Sequence, residues 1–258
     1  MDEKRINKIG QAMIWVIIAI GLVASIVLLF LLRDKILKPS IEERVGDDPK
    51  SFIDNCVAKN VENAVDILLP QGGFIKPEHF NSYNGFNVSY LCYNAGNYHP
   101  CINEHPLLLE EINEEIKQYI APKIDGCFED LKKEFEKRQG EVNLGEMKLD
   151  VKIAPKRIFV NIKINLNQKM KEQSKSYNEF DSEIISPVYD LARLALEIAN
   201  QEAKYCYFEY VGYMILYPKF KIGRDSLSDS TEIYTIKDKK SSKEMNIAIR
   251  SCAIPPGL

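Results

Sequence analysis

The sequence predicts an α+β fold in which an N-terminal transmembrane helix precedes amphipathic helices packed on an antiparallel sheet. Three observations predict it. Residues 12–32 form one uncharged apolar run between cationic flanks. Three later segments repeat apolar residues every three or four positions, the period of a helix buried on one side. Between the second and third of these, Leu149, Val151 and Ile153, then Ile158, Val160, Ile162 and Ile164, alternate with mostly polar residues, the period of a half-buried strand. The implied organisation is a basic leader (1–11), the membrane helix (12–32), a juxtamembrane linker (33–50) and an extracytoplasmic domain (51–258). That domain is divisible into subdomains 51–140 and 141–258. With 258 residues, 45% hydrophobic and 10% aromatic, the chain has enough apolar material for a packed core. A net charge of -3 without an arginine-rich stripe argues against a nucleic-acid partner.

As a helix, residues 12–32 would measure about 30 Å, the thickness of a bilayer's hydrocarbon core. A discarded secretory signal has a shorter apolar region, about 7–15 residues, and a small-residue exit. Here the run leaves through Leu31, Leu32 and Arg33, so it is expected to stay in the membrane. Trp15 at the entry and Arg33, Lys35 and Lys38 at the exit suit interfacial anchors. Lys4, Arg5 and Lys8 balance those exit cations, so charge alone does not orient the helix. The six cysteines decide it. All lie downstream and outside any CxxC pair, which suits disulfides in an oxidising compartment. The N-terminus is therefore placed in the cytoplasm and the domain outside, held at the cell membrane by a single pass. The sequon of Asn87, Val88 and Ser89 agrees and makes Asn87 a candidate glycosylation site. Gly21 and Ser25 form a small-residue pair that permits close approach of two membrane helices.

The short basic leader, then Gly10 and Gln11, then the apolar helix, resembles archaeal class III signal peptides, the type IV pilin-like N-terminus. In that family a prepilin peptidase cuts between the Gly and the Gln, and the apolar helix remains to anchor or assemble. The resemblance implies cleavage between Gly10 and Gln11. It covers residues 1–32, and the family's glutamate at the fifth mature position is Trp15 here. Further on, a helix followed by Gln71, Gly72 and Gly73 and then by paired cysteines is similar to segments of uncharacterised archaeal single-pass membrane proteins. That similarity implies no activity.

Within the domain, Asp48 and Pro49 start a helix whose apolar side carries Ile53, Cys56, Val57, Val61, Val65 and Leu68. Pro70, Gly72 and Gly73 stop it, and no lysine or helix start follows to make a phosphate loop. Phe86, Val88, Tyr90 and Cys92 alternate as in a half-buried strand. The surrounding segment 74–101 is rich in Tyr, Asn and Gly, a composition shared by recognition surfaces and by loops that pack on their own domain. Pro106 opens a second helix, with Ile112, Ile116, Ile120, Ile124, Cys127 and Phe128 on its apolar side and Pro122 expected to kink or divide it. A strand is expected near 141–147, then the hairpin of alternating residues. A third helix runs from Ser186 and Pro187, or from as early as Tyr177, to about Tyr205, and should cover the hairpin sheet. Segments 210–223, 231–238 and 243–252 read as further strands.

Six cysteines admit more connectivities than sequence can decide among. Cys92 and Cys101 flank a short return, Cys56 and Cys127 lie on two apolar helix sides, and Cys206 and Cys252 bound the last section. Cys56–Cys127 is the preferred long-range pair, and the other two pairs are candidates. Cys92, His99, Cys101 and His105 also offer zinc-type ligands, but their spacing matches no known zinc motif, and Pro100 restricts both neighbours. The third histidine, His79, stands alone. Glu110, Glu111, Glu114 and Glu115 read as a solvated helix face, and Lys148, Lys152 and Lys163 as a basic strand face open to solvent, acidic polymers or lipid head groups. No nucleophile elbow, Walker loop or metalloprotease motif occurs. The expectation is a non-catalytic, disulfide-braced envelope protein without a cofactor. It would meet the lipid bilayer through its helix and bind a protein or glycan partner, or self-assemble, at the surface. A pilin-like subunit and a membrane-anchored hydrolase of unrecognised type are the alternatives.

Overall fold

The computed structural model describes residues 48–254, apart from 138, 171 and 172, together with 21–23. The leader with Gly10 and Gln11, nearly all of the apolar run and most of the linker lie outside the described residues. Among the described residues no helix is long and apolar enough to cross a membrane. Val45–Leu258 forms one compact unit.

That unit is α+β, with two sheets and three long helices. Helix α1 (Pro49–Leu68) is capped by Asp48, whose carboxylate accepts from the Lys50 amide at 3.1 Å, with Pro49 at its first turn. It ends as expected. Gly72 and Gly73 adopt φ of 80° and 102°, and the Gly73 N–H donates to the Leu68 carbonyl. A Cβ on Gly72 would sit 3.0 Å from the Ser89 Cβ, so the turn also needs glycine for its close packing on the sheet. Gln71 ties the loop by donating to the carbonyls of Ile67, Phe74 and Ile75.

The first sheet gathers strands from both ends of the domain: β1 (Phe80–Tyr83), β2 (Phe86–Tyr93), β3 (Ile102–Asn103), β8 (Phe220–Ser226), β9 (Glu232–Asp238) and β10 (Glu244–Arg250). Its order is β1-β2-β10-β9-β8, with β3 also on β2. All pairs are antiparallel except β2 with β10, which is parallel, so the sheet is mixed and not wholly antiparallel as expected. The parallel pairing is open to β2 and β10 because the chain from residue 94 to residue 243 joins them, not a hairpin.

The second sheet is antiparallel and comes from the middle of the chain: β4 (Gly140–Leu144), β5 (Lys148–Ala154), β6 (Arg157–Met170) and β7 (Gln173–Ile185). Both β4 and β5 lie along one edge of the long β6, and β7 lies along the other. The segment at Tyr177 is therefore strand, and the third helix, α3 (Val188–Tyr205), begins only after Pro187.

Helix packing also departs from expectation. The apolar face of the second sheet is covered by α1 and by α2 (Leu108–Lys137), while α3 packs chiefly on β2, β9 and β10 of the first sheet. Two polar contacts fix the covering helices: Asp54 on α1 accepts from the Ser182 hydroxyl at 2.7 Å, and Asn113 on α2 accepts from the Ile153 amide at 2.7 Å. Helix α2 runs through Pro122 without interruption. The three disulfides join Cys56 to Cys127, Cys92 to Cys101 and Cys206 to Cys252, with Cα separations of 6.5, 5.4 and 5.7 Å. The first staples α1 to α2.

Candidate recognition surface

Strand β2 is not half-buried. Val88 to Cys92 are all buried, because the strand has cover on both sides. Its inner face joins the main core through Leu91 and Cys92, and Val88 and Tyr90 form a small outer core with Ile233 and Ala248. The β1–β2 hairpin supplies the outer cover. The Tyr83 hydroxyl donates to the Asp225 carboxylate on β8, and the Asn81 amide donates to the Tyr90 hydroxyl and to Asp229. Hydrogen bonding to Asp225 holds the Tyr83 hydroxyl above its ordinary pKa.

Where the hairpin meets the sheet, aromatic and polar groups converge. The His79 ring lies 4.6 Å from Tyr90 and 4.5 Å from Tyr93, and its Nδ1 is 2.8 Å from the Glu104 carboxylate. The parallel pairing sets Arg250 beside Tyr93, with its guanidinium 5.9 Å from that ring. Arg250 donates to the carbonyls of Asn94, Gly96 and Asp229 and to the side chain of Asn97. It thus clamps the 94–98 loop, leaving Tyr98 58% exposed at its tip. His79, Asn97 and Tyr98 are exposed around this clamp, whereas Asn84, Phe86 and Asn87 are exposed at the hairpin-turn end of β2. Rings of this kind offer contact area at low entropic cost, and the amides offer adaptable hydrogen bonds. Sequence reasoning found the Tyr/Asn segment but missed Arg250, Asp225 and Asp229. Only the long-range strand pairing brings them in.

The other residues singled out in the sequence are dispersed. Cys92 and Cys101 are bonded to each other, the exposed His99 accepts from the Cys252 amide through its carbonyl, and His105 pairs with Glu111 at 2.7 Å against Phe74. Among the described residues no group of His, Cys, Asp and Glu is placed to hold a metal. The acidic face of α2 is not simply solvated. Glu111 engages His105, and Glu115 accepts from the Ile75 amide at 2.8 Å, fixing the loop after α1. The basic strand face is mixed. Strand β7 lays Glu179, Asp181 and Glu183 beside Lys163, Asn161 and Phe159, so the face is neutralised by acids that a helix assignment would have placed elsewhere. Asn87 is exposed on β2.

A second feature lies at the other end of the first sheet. After α3 the chain passes through Cys206 into a short helix, α4 (Tyr210–Leu216), where strand was expected. The Glu209 carboxylate caps it by accepting from the Gly212 amide at 3.1 Å, and the Tyr207 hydroxyl donates to the same carboxylate. Beneath it, Phe208 is buried against Tyr213 and Tyr234. The Tyr234 hydroxyl donates to Glu202 at 2.5 Å; Glu202 is 1% exposed, and burial above all else raises its pKa. Arg224 pairs with Glu232 at 3.4 Å and lies below the rings of Tyr207 and Tyr210.

The architecture is thus a disulfide-braced α+β domain of one mixed and one antiparallel sheet. Compared with protein-family models, curated proteins and solved structures, the chain matches none.

Proposed function

We propose that this chain is a membrane-anchored, extracytoplasmic protein of the cell envelope that works without catalysis and binds a protein or glycan partner. The observation that carries the reading is the pairing of all six cysteines into three disulfides, which suits an oxidising compartment. The apolar run 12–32 supplies the anchor, and the braced surface around His79 and Tyr98 supplies the contact.

Two measurements test it on the full chain in its native membrane. Peptide mapping without reduction should return the Cys56–Cys127, Cys92–Cys101 and Cys206–Cys252 cross-links; six alkylatable thiols would overturn the extracytoplasmic placement. Crosslinking should capture one reproducible partner, and Tyr98→Ala with His79→Ala should cut that capture about tenfold if the pair forms the centre of the contact. Capture unchanged by both substitutions would remove the surface from the proposal.

A further inference from the structure

Helix α4 presents an apolar surface to the outside. Val211, Ile215 and Leu216 are 51%, 76% and 75% exposed, and Tyr205, Tyr207 and Tyr217 around them are 61%, 46% and 47% exposed. No charged residue occurs from Tyr210 to Pro218, and no residue of α4 is buried. This exposure is not that of a frayed end. The segment is capped by Glu209, linked at its base by Cys206–Cys252, and held from below by Tyr213 on Phe208 and by Met214, whose sulfur accepts from the Ile222 amide. A rigid support thus holds large aliphatic side chains in solvent, an arrangement that marks a docking surface.

The chemistry of the rim selects the occupant. Tyrosines surround the aliphatic tip, and exposed Lys204 and Lys221 flank it, as does Lys219, which pairs with Asp190 at 3.0 Å; Glu209 is the one acid in the stretch 204–221. Aliphatic tip, tyrosine ring and lysine flank are the composition of a segment that lies in the interface of a bilayer with anionic lipids. The tether makes that bilayer available. Residues 33–47 reach at most about 50 Å when extended, and a compact domain of this size is about 40 Å across. A connection of that length puts no face of the domain beyond reach of the bilayer in which residues 12–32 are proposed to sit, at high effective concentration. We propose that the α4 surface docks in the interfacial layer of that bilayer, laying the domain against the membrane on its Tyr205–Tyr217 side. This rests on the anchoring by residues 12–32 and adds a second lipid contact to it.

The test uses the full chain in nanodiscs of phosphatidylcholine and phosphatidylglycerol with brominated acyl chains. Trp15 is the only native tryptophan, so its quenching in the unaltered protein reports anchoring alone. Docking is reported by Ile215→Trp in a Trp15→Phe background, with Ile102→Trp, on β3, as the solvent-facing control. The indole at position 215 should be quenched about twofold more than the control and more strongly as the phosphatidylglycerol fraction rises. Quenching equal to the control overturns the docking. So does a blue-shifted but unquenched indole, which would mean that protein covers the patch: a second copy, a partner or residues 12–32. Loss of Trp15 quenching in the unaltered chain would instead overturn the anchoring.

Discussion

Glu202 is the residue whose chemistry is most constrained by the fold. It lies near the end of α3, 1% exposed, and faces Tyr234 and Glu232 from β9 and Arg224 from β8. Burial raises its pKa, the Glu232 carboxylate adds to the rise, and the Tyr234 hydrogen bond and Arg224 oppose it. The folded chain therefore holds a proton there at pH values where the unfolded chain has already lost it from a carboxyl of ordinary pKa 4.5. With more protons bound in the folded state, the stability due to this group is full below that value and declines as pH rises through the folded pKa. Glu202→Gln keeps an oxygen for Tyr234 and removes the ionisation. Its melting temperature, relative to the parent chain, should climb as pH rises from the ordinary carboxyl value of 4.5 through the raised pKa, and level off above it. A difference that stays constant across that range would refute the assignment.

At the level of elements, the disulfides can be ranked. In the chain-entropy account a cross-link stabilises by restricting the unfolded chain, more for a longer loop. Cys56–Cys127 closes 71 residues and Cys92–Cys101 only 9. Replacing the first pair by alanines should cost about 4 kcal/mol and the second about 2.5 kcal/mol, read as shifts in the guanidinium midpoint. The reverse order would show that packing at the Cys92 site outweighs chain entropy. Legibility in the sequence also varied by element. Helices α1, α2 and α3 and the β5–β6 hairpin were readable because each buries one side and leaves the other to solvent, so periodicity reports burial directly. Strand β7 was not. Its inward apolar residues Tyr177, Phe180 and Ile184 are spaced three and four apart, as on a helix, because the inward position between the last two is the polar Ser182. The step of three comes from a register shift: Lys163 faces Glu179 but Leu166 faces Tyr177, so β6 spends an extra residue and reverses which β7 positions point inward. Helix α4 was unreadable for another reason. Its Tyr, Val and Ile content favours strand, and the Glu209 cap and the contacts of Tyr213 and Met214 override that preference. The recognition surface was half legible: the Tyr/Asn segment lies in one stretch, but Arg250 reaches Tyr93 only through a pairing between residues more than 150 positions apart.

For the whole domain, the chain's route determines how it should come apart. It builds three strands of the first sheet, leaves to build the entire second sheet, and returns to finish the first. The core follows the same path. Leu91 and Tyr234 of the first sheet, Val160 of the second, and Ile112 and Ile198 of the helices belong to one continuous buried cluster. Helix α3 contacts both sheets, and α2 contacts α3, so neither sheet can expose its inner face without uncovering a helix that the other sheet also uses. Shared cover of this kind couples the halves into one cooperative unit. Denaturation of the full chain in nanodiscs should therefore give coincident midpoints for tyrosine near-ultraviolet circular dichroism and for backbone far-ultraviolet circular dichroism. A stronger demand follows from cavities made in one sheet at a time. Val160→Ala in the second sheet and Ile247→Ala in the first each remove fully buried methyl groups, at a cost of about 1–4 kcal/mol. If the sheets unfold together, each substitution must lower the midpoints of both signals equally. If Val160→Ala moves only part of the far-ultraviolet change and leaves the tyrosine signal in place, the two sheets are separate folding units and the shared helices do not couple them.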